Sequence, residues 1–199
     1  MEEELMFRII FVIAFAIFAS IRIYFRSQTI GRESEREETL FDRPTIFLSV
    51  VIISFFGIMF LYILLPDWIF WAHLDIHVFI RWLGVVLGFV GIILLFWIHR
   101  TLGKQYSAKL EIQKGHELIT TGPYKRIRHP MYTVFMTFTI GASLMTANGL
   151  MIILSVLLAI PFHWITRKEE KMLTEQFGED YQKYMDRTGR FLPRVRRKD

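Results

Sequence analysis

Residues 122–132, GPYKRIRHPMY, place guanidinium, imidazole and phenol side chains directly before an apolar run. Pro130 stands where that run begins; proline is favoured at the first position of a helix and holds the preceding residue extended. His129 is therefore expected at a helix N-terminus, close to unpaired backbone N–H groups and the positive end of the helix dipole. With Arg128 beside it, this position suits an anionic ligand group.

An acidic pair, Glu169 and Glu170, follows the last apolar run of the chain. Carboxylates close to a bilayer are costly unless they are paired or used. A basic flank that anchors one helix, followed by an amphipathic interfacial helix, would explain the charges more simply. A hairpin of the two intervening apolar runs would instead bring the pair to the depth of residues 128–132. The sequence therefore predicts a cytoplasm-facing pocket with a basic wall, an acidic wall and aromatic residues between them.

The elements that must position these residues are membrane helices. The chain has 199 residues, of which 53% are hydrophobic and 16% aromatic, and the apolar residues are concentrated in runs. A bilayer core needs about 20 apolar residues per helix. We predict an all-α, polytopic membrane protein with about five transmembrane helices, the last two forming a helical hairpin around TANG. The predicted spans are 7–25, 45–65, 80–98, 131–145 and 150–165.

Basic residues orient these spans. Lys and Arg are frequent in 26–44, in 99–130 and after residue 165, whereas 66–79 and the TANG turn contain none. The positive-inside rule places the N-terminus outside and the C-terminus, with the candidate site, in the cytoplasm. We interpret 1–199 as a single membrane domain whose cytoplasmic, cofactor-binding face is formed by 99–130 and 166–199.

Three other patterns limit the alternatives. Gly84 and Gly88 have the G-x-x-x-G spacing that lets helices approach closely, which favours packing within the monomer over a dimer. His73 and His77, four residues apart, could hold a metal on one helix, but no third ligand accompanies them and no metal site is predicted. The absence of cysteine excludes disulfides, thiolate metal sites and a cysteine nucleophile.

The order and spacing of GHELITTGPYKRIRHPMY, then EE, FGEDYQKY and GRFLP, resemble the isoprenylcysteine carboxyl methyltransferase family. That family lies within a wider group of integral-membrane methyltransferases that includes the phospholipid methyltransferases. The resemblance covers roughly residues 95–195 and is closest to the short archaeal and bacterial members. It implies an S-adenosylmethionine-dependent integral-membrane methyltransferase. The implied acceptor is a lipophilic small molecule or prenylated substrate that enters from the bilayer, methylated on a carboxyl group as in protein-S-isoprenylcysteine O-methyltransferase.

The resemblance also implies site residues, carried over by position. The implied cofactor contacts are His116, Glu117, Leu118, Ile119, Tyr124, His129, Pro130, Met131, Tyr132 and Glu169. We expect catalytic roles for Arg128, Arg167 and Glu170. One departure concerns the acceptor: prenylcysteine-modifying members have an arginine four positions before the cofactor-binding glutamate, where this chain has Ile165. Arg167 or Lys168 is the nearest basic replacement.

Two other functions remain open at this point. A membrane sterol-type reductase using NADPH has a similar His-Pro element and tyrosine-rich ending, but such enzymes are generally longer and need extra basic residues for the cofactor phosphates. A non-catalytic membrane binding protein of the same fold is the other alternative. The chain has no strand–glycine-rich–helix unit of the soluble nucleotide-binding type. We expect membrane lipids around a monomer or weak dimer, no nucleic-acid partner, and an acceptor that is a prenylcysteine, phospholipid, small thiol or amine.

Overall fold

The computed structural model describes residues 2–28, 43–102 and 118–194, and within these ranges the chain is helical without a β-strand. Short 3-10 turns occur at Phe70–Ala72 and Gly122–Lys125. The predicted all-α class is therefore confirmed. The α-helices are α1 (Glu2–Ser27), α2 (Arg43–Leu64), α3 (Pro66–Ile69), α4 (Val78–Leu102), α5 (Pro130–Thr146), α6 (Gly149–Leu157), α7 (Ala159–Phe177) and α8 (Glu179–Arg187).

Four stretches within the described ranges are helical, long and apolar enough to cross a membrane: α1, α2, α4 and the continuous stretch Gly149–Phe177 formed by α6 and α7. They confirm a polytopic integral membrane protein. The predicted fourth span, 131–145, coincides with α5, which is shorter at 17 residues and packs along α4. The total of five spans stays a prediction.

In the predicted fifth span, 150–165, α6 passes into α7 at Leu158, which keeps right-handed helical dihedral angles of φ −59° and ψ −26°. Pro161 has no N–H to donate, so the carbonyl of Leu157 lacks its helical partner. The chain continues as α7 to Phe177. Because 29 helical residues at about 1.5 Å each exceed a hydrocarbon core of about 30 Å, we take the membrane-spanning part to end near residue 165 and the charged half of α7 to lie outside it.

Helices α4 and α5 cross where glycines remove side-chain bulk. A Cβ added to Gly84 would lie 2.7 Å from the Gly141 carbonyl oxygen, and one added to Gly141 would lie 2.6 Å from the Gly88 nitrogen. Those distances are shorter than any tolerable contact, so the two backbones touch only because both sides are glycine. The G-x-x-x-G spacing thus serves packing within the chain, as predicted.

One end of the bundle, which we name the opposite face, is joined by a buried polar network of Glu4, Tyr62 and Arg81. Arg81 Nη1 donates to Glu4 Oε2 at 2.8 Å, and the Tyr62 hydroxyl donates to Glu4 Oε1 at 2.9 Å. Arg81 Nε donates to the Met145 carbonyl oxygen at 3.0 Å. Since the network draws on α1, α2, α4 and α5, it fixes these helices relative to one another at this end.

The two histidines of the short segment between α3 and α4, His73 and His77, have local structural roles. His73 stacks on Phe70 with ring centroids 5.8 Å apart. His77 Nδ1 accepts a hydrogen bond from the Phe79 backbone N–H at 3.2 Å, where α4 begins. Within the described ranges no group of three or more His, Asp and Glu side chains could hold a metal ion.

The other end of the bundle, which we name the site face, collects the ends of α1 and α4, the start of α2, and residues 118–130 and 166–194. Phe25 of α1 stacks on His99 of α4 with ring centroids 4.7 Å apart, and Phe47 of α2 lies 6.3 Å from Trp164 of α7. The described parts of all three basic segments lie at this end. Which side of the membrane this face occupies stays a prediction.

The glycine crossing generates the first prediction. Gly141→Ala should destabilise the protein by about 1–3 kcal/mol, because the new methyl group overlaps the α4 backbone and the helices must move apart. Gly57→Ala in α2 is the matched control, since a Cβ there has no neighbour within 4 Å. Thermal unfolding in mild detergent measures the difference, and equal melting temperatures for the two variants would contradict the close crossing.

Candidate functional site

The site is organised around the start of α5. His129 is the N-cap residue, with φ −121° and ψ 58°, and Pro130 is the first helical residue. The Arg128 N–H donates to the Gly189 carbonyl oxygen at 2.8 Å, and the His129 N–H donates to the Arg190 carbonyl oxygen at 3.0 Å. The segment before α5 therefore lies beside the segment after α8, and both carry their basic side chains to the same place.

Glu170 on α7 receives cations from both segments. Arg128 Nε and Arg190 Nε donate to its Oε1 at 2.8 Å and 3.1 Å, and Arg190 Nη2 donates to its Oε2. His129 Nε2 lies 3.3 Å from Oε1. Burial would raise the pKa of this carboxyl, but hydrogen bonds from His129, Arg190 and Arg128 outweigh it and hold the pKa well below its usual range. Glu170 is therefore a buried, ionised centre.

Glu169, the neighbouring carboxylate, is oriented by two other contacts. The Tyr132 hydroxyl donates to its Oε1 at 2.6 Å, and His129 Nδ1 lies 3.0 Å from its Oε2. Burial would lower the pKa of His129, but hydrogen bonds to Glu169 and Glu170 outweigh it and raise the pKa. The side chain of Glu169 is 23% exposed, against 9% for Glu170. Glu169 is thus held in place yet accessible, whereas Glu170 is internal.

Helix α8 is attached to the site through side chains that donate to backbone carbonyls. Arg128 Nη1 donates to Met185 O at 3.1 Å and also to Thr188 O. The Tyr184 hydroxyl donates to Tyr124 O at 2.7 Å. Burial raises the pKa of Tyr184 to about 12, so its phenol keeps the proton that this hydrogen bond needs. The end of α8 therefore supports the basic wall.

Aromatic side chains lie between this charged cluster and the membrane part of the bundle. The Tyr132 ring lies 4.9 Å from Phe162, and Phe135 lies 6.5 Å from Phe162. Phe191 lies 6.4 Å from the His129 ring. The guanidinium of Arg22, on α1, lies 5.0 Å from the centre of the Phe135 ring. The cluster thus has an ionised side toward the segment after α8 and an aromatic side toward the bilayer.

The structure brings the core of the predicted site together, although no bound cofactor tests the roles assigned to its residues. The residues that meet are Arg128, His129, Tyr132, Glu169 and Glu170. A catalytic role was predicted for Glu170. In the structure its carboxylate contacts Arg128, His129 and Arg190. The predicted basic and acidic residues therefore meet, but they contact each other directly, and the aromatic side chains lie beside the charged cluster and not between two walls.

The remaining predicted residues lie in different environments, and those that the structure describes take no part in the charged cluster. Tyr124 and Met131 pack against the main core, and Pro130 is buried. Leu118 and Ile119 are half-buried in the segment that leads to the 3-10 turn at Gly122–Lys125. His116 and Glu117 lie outside the described residues. Arg167 is exposed on α7, and its guanidinium makes none of the contacts that join the cluster.

Two arginines of the site were not predicted. Arg190 lies in the GRFLP motif, and no role was assigned to it. Its contact with Glu170 depends on the segment after α8 lying beside the start of α5. Arg22 lies near the end of the predicted first span, 7–25, and no role was assigned to it. Its signal was a charged side chain inside an apolar run, which is costly unless it faces the bundle interior.

A family model described as phospholipid methyltransferase matches residues 79–180, just over half of the chain. The chain belongs to the phospholipid methyltransferase family. The matched region runs from α4 into α8 and contains Arg128, His129, Tyr132 and the acidic pair; Arg22 and Arg190 lie outside it.

Individual relatives include a metal-resistance protein and protein-S-isoprenylcysteine O-methyltransferases. The chain is 34% identical over 97 residues to the nickel-cobalt-cadmium resistance protein NccN of Alcaligenes xylosoxydans xylosoxydans, covering 48% of this chain and 45% of the relative. It is 25% identical over 134 residues to a probable protein-S-isoprenylcysteine O-methyltransferase of Oryza sativa subsp. indica, covering 65% and 69%. It is 32% identical over 96 residues to the protein-S-isoprenylcysteine O-methyltransferase of Saccharomyces cerevisiae, covering 47% and 40%.

A solved structure shares the fold. The eukaryotic intramembrane Ras methyltransferase ICMT superposes with a TM-score of 0.55 at 22% identity, covering 92% of this chain and 62% of that one. The part of each relative that this chain covers thus ranges from 40% to 69% of the relative's length. The matches confirm the resemblance to the isoprenylcysteine carboxyl methyltransferases, while the likeness to short archaeal and bacterial members stays a prediction.

The charged cluster generates a second prediction. Glu170→Gln should cost about 3 kcal/mol of unfolding free energy, because an amide cannot neutralise Arg128 and Arg190 in a buried place. Glu175→Gln on the same helix is the matched control, with a side chain 67% exposed. Denaturant titration in mild detergent measures both, and a control loss as large as that of Glu170→Gln would contradict the central place given to this carboxylate.

A third prediction concerns pH. Because folding raises the pKa of His129, the stability it contributes is fully present below its ordinary value of 6.5 and is lost as pH rises through the folded value. The difference in unfolding free energy between wild type and His129→Gln should therefore be larger at about pH 6 than at about pH 9. A difference that grows toward alkaline pH would reverse the assigned sign.

Proposed function

We propose that the protein is an S-adenosylmethionine-dependent membrane methyltransferase that acts on the carboxylate of a lipophilic acceptor. The observation that carries the proposal is the orientation of Glu169. His129 and Tyr132 hold this partly exposed carboxylate beside the N-terminus of α5. The chain belongs to the phospholipid methyltransferase family. The names of the O-methyltransferase relatives support the reaction and the prenylcysteine type of acceptor.

The donor set fits the cofactor. Glu169 has both oxygens oriented and remains accessible, so its further lone pairs suit the ribose diol. The first backbone N–H groups of α5 suit the cofactor's carboxylate, since a helix N-terminus favours negative charge. Both ring nitrogens of His129 face the two glutamates, which makes the imidazole the group that orients these carboxylates. The proposed cofactor residues remain the predicted set, with His116 and Glu117 outside the described ranges.

S-adenosylmethionine supplies, when bound, a methyl group on a cationic sulfur. A carboxylate acceptor, being already an anion, would take up this methyl group without a proton transfer. The chain therefore needs no general base and contributes alignment and exclusion of water. The aromatic side of the site, formed by Tyr132, Phe135 and Phe162, suits that task.

The described site lends less support to a reductase using NADPH. The extra phosphates of that cofactor require basic groups, and the two arginines of the cluster, Arg128 and Arg190, are both engaged with Glu170. A non-catalytic binding protein would not require an accessible carboxylate held in one orientation by a tyrosine and a histidine. We therefore keep methyl transfer as the proposed function.

The fourth prediction tests the cofactor. Calorimetric titration of detergent-purified protein with S-adenosylhomocysteine should show micromolar binding, and Glu169→Ala should weaken it at least about tenfold, the loss of one charged hydrogen-bonding group. Glu175→Ala is the matched control on the exposed side of α7. Wild-type binding of NADPH in place of S-adenosylhomocysteine, or no binding by folded protein, would refute the methyltransferase assignment.

A further inference from the structure

We propose that a cavity at the opposite face binds the headgroup of a phospholipid that carries a primary ammonium beside its phosphate. Arg81 pairs with the phosphate, and the carboxylates of Glu3 and Asp75 pair with the ammonium. The proposal is independent of the proposed function, because this cavity lies at the other end of the bundle from Glu169 and Glu170 and takes no part in methyl transfer.

The first step is the place of the cavity. It has a volume of about 390 Å³ and is lined by the start of α1, residues 73–77 and the start of α4. Glu3 lies just before the predicted first span, 7–25, and α4 begins at Val78. The cavity is therefore at the depth where these two helices leave the hydrocarbon core, which is the depth of lipid headgroups.

The second step is the wall formed by the segment between α3 and α4. The Leu74 N–H donates to the Ala147 carbonyl oxygen at 2.8 Å, and His73 forms a β-bridge with Asn148. These backbone contacts hold the segment against the turn that joins α5 to α6. The cavity is thus enclosed by chain segments that are fixed in the fold.

The third step is a buried donor without an acceptor. Arg81 is 6% exposed; its Nη1 donates to Glu4 and its Nε to the Met145 carbonyl oxygen. The remaining guanidinium nitrogen, Nη2, is buried and has no hydrogen-bond partner among the described residues. Leaving such a donor unpaired costs free energy. Because Arg81 lines the cavity, a phosphate oxygen bound there would satisfy this donor.

The fourth step is the charge of the cavity. Both carboxylate oxygens of Glu4 accept hydrogen bonds, from Arg81 and from Tyr62, so the guanidinium is already balanced. Glu3 and Asp75 also line the cavity, and these exposed side chains form no ion pair with another described residue. Two further carboxylates repel a purely anionic headgroup and attract a ligand that brings its own cationic group.

The fifth step concerns the type of cationic group. Proteins recognise quaternary ammonium groups mainly through the faces of aromatic rings. The described lining contains no phenylalanine, tyrosine or tryptophan, whereas its carboxylates can accept hydrogen bonds from N–H groups. A primary ammonium of the ethanolamine type therefore suits this cavity better than a trimethylammonium of the choline type.

The sixth step favours a lipid over a soluble amine. Trp68, Phe70 and Trp71, which precede the cavity wall in the chain, are 71–73% exposed. Exposed aromatic side chains of this kind are enriched at the interface between membrane and water. Leu74 and Val78 continue the apolar surface into the cavity lining. A headgroup in the cavity can thus keep its acyl chains beside apolar side chains.

The experiment measures lipid retention by the purified full chain in mild detergent. Delipidated protein is mixed with equal amounts of dioleoyl phosphatidylethanolamine, phosphatidylcholine and phosphatidylglycerol, and native mass spectrometry counts the lipid retained. Wild type should retain the ethanolamine lipid at least about threefold more than either competitor, as expected for two exposed ion pairs. Equal retention of the three lipids would overturn the proposal.

A double variant tests the carboxylates. Glu3→Gln combined with Asp75→Asn should abolish the preference for the ethanolamine lipid and, since neither side chain belongs to the Glu4 network, should leave the melting temperature unchanged. Asp67→Asn is the matched control, because it removes an exposed carboxylate of α3 outside the cavity lining and should keep the preference. An unchanged preference in the double variant, or its loss in the control, would overturn the ammonium site.

A ligand series tests the phosphate contact, because replacing Arg81 itself would leave Glu4 without its cation. Dodecylamine has an ammonium and an apolar chain but no phosphate. It should displace the retained ethanolamine lipid at least about tenfold less effectively than dihexanoyl phosphatidylethanolamine, which brings the charge-assisted hydrogen bond to Arg81. Equal displacement by the two compounds would overturn the role of Arg81.

Free phosphoethanolamine, the same headgroup without acyl chains, distinguishes a lipid from a soluble ligand. It should compete much more weakly than dihexanoyl phosphatidylethanolamine, because it gains nothing from the apolar side chains at the cavity. Competition as strong as that of the short-chain lipid would assign the cavity to a soluble phosphate-bearing amine and overturn the lipid assignment.

Discussion

The carboxylate of Glu170 is the interaction on which the rest of the site depends. It is a buried anion that meets Arg128, His129 and Arg190, and none of these ions could be buried alone without a large desolvation cost. Because two of the cations flank the start of α5 and the third follows α8, one carboxylate holds three parts of the chain in register. Its contact with His129 Nε2 also turns the imidazole so that Nδ1 reaches Glu169. The orientation of the accessible carboxylate is thus a consequence of the internal one.

The helical bundle supplies a frame that differs between its two ends. Gly84 and Gly141 let α4 and α5 touch, which fixes the position of α5 along α4. At the opposite face, the network of Glu4, Tyr62 and Arg81 joins α1, α2 and α5 to α4 through charged and neutral hydrogen bonds. Toward the site face, α1 and α2 pack on different partners instead. At this end Phe18 of α1 stacks on Phe138 of α5, whereas Val51 of α2 packs with Leu158 and Phe162.

The sequence predicted the pairing of the basic and acidic walls because two apolar runs of similar length, joined by a short turn, must return to the same depth. It also predicted His129 at a helix start, since Pro130 fixes local backbone geometry. It did not predict the change from α6 to α7 at Leu158, although Pro161, which cannot donate a backbone hydrogen bond, is a sequence signal for it. It missed the contact of Arg190 with Glu170, because that contact joins residues brought together only by the turn after α8. Periodicity within α1 likewise does not state which helix Arg22 faces.

A site for a water-soluble donor and a lipid-soluble acceptor must solve two solvation problems in one place. On the side of the segment after α8, Glu170 balances the arginines, so the ionised cluster can border on the membrane without an isolated buried charge. On the bilayer side, Tyr132 and Phe162 present rings, and the hydroxyl of Tyr132 joins the two environments by donating to Glu169. A tyrosine suits this boundary because its ring favours apolar contact and its hydroxyl requires a polar partner. The boundary between the two solvents therefore passes through one side chain, and the proposed methyl transfer would take place beside it.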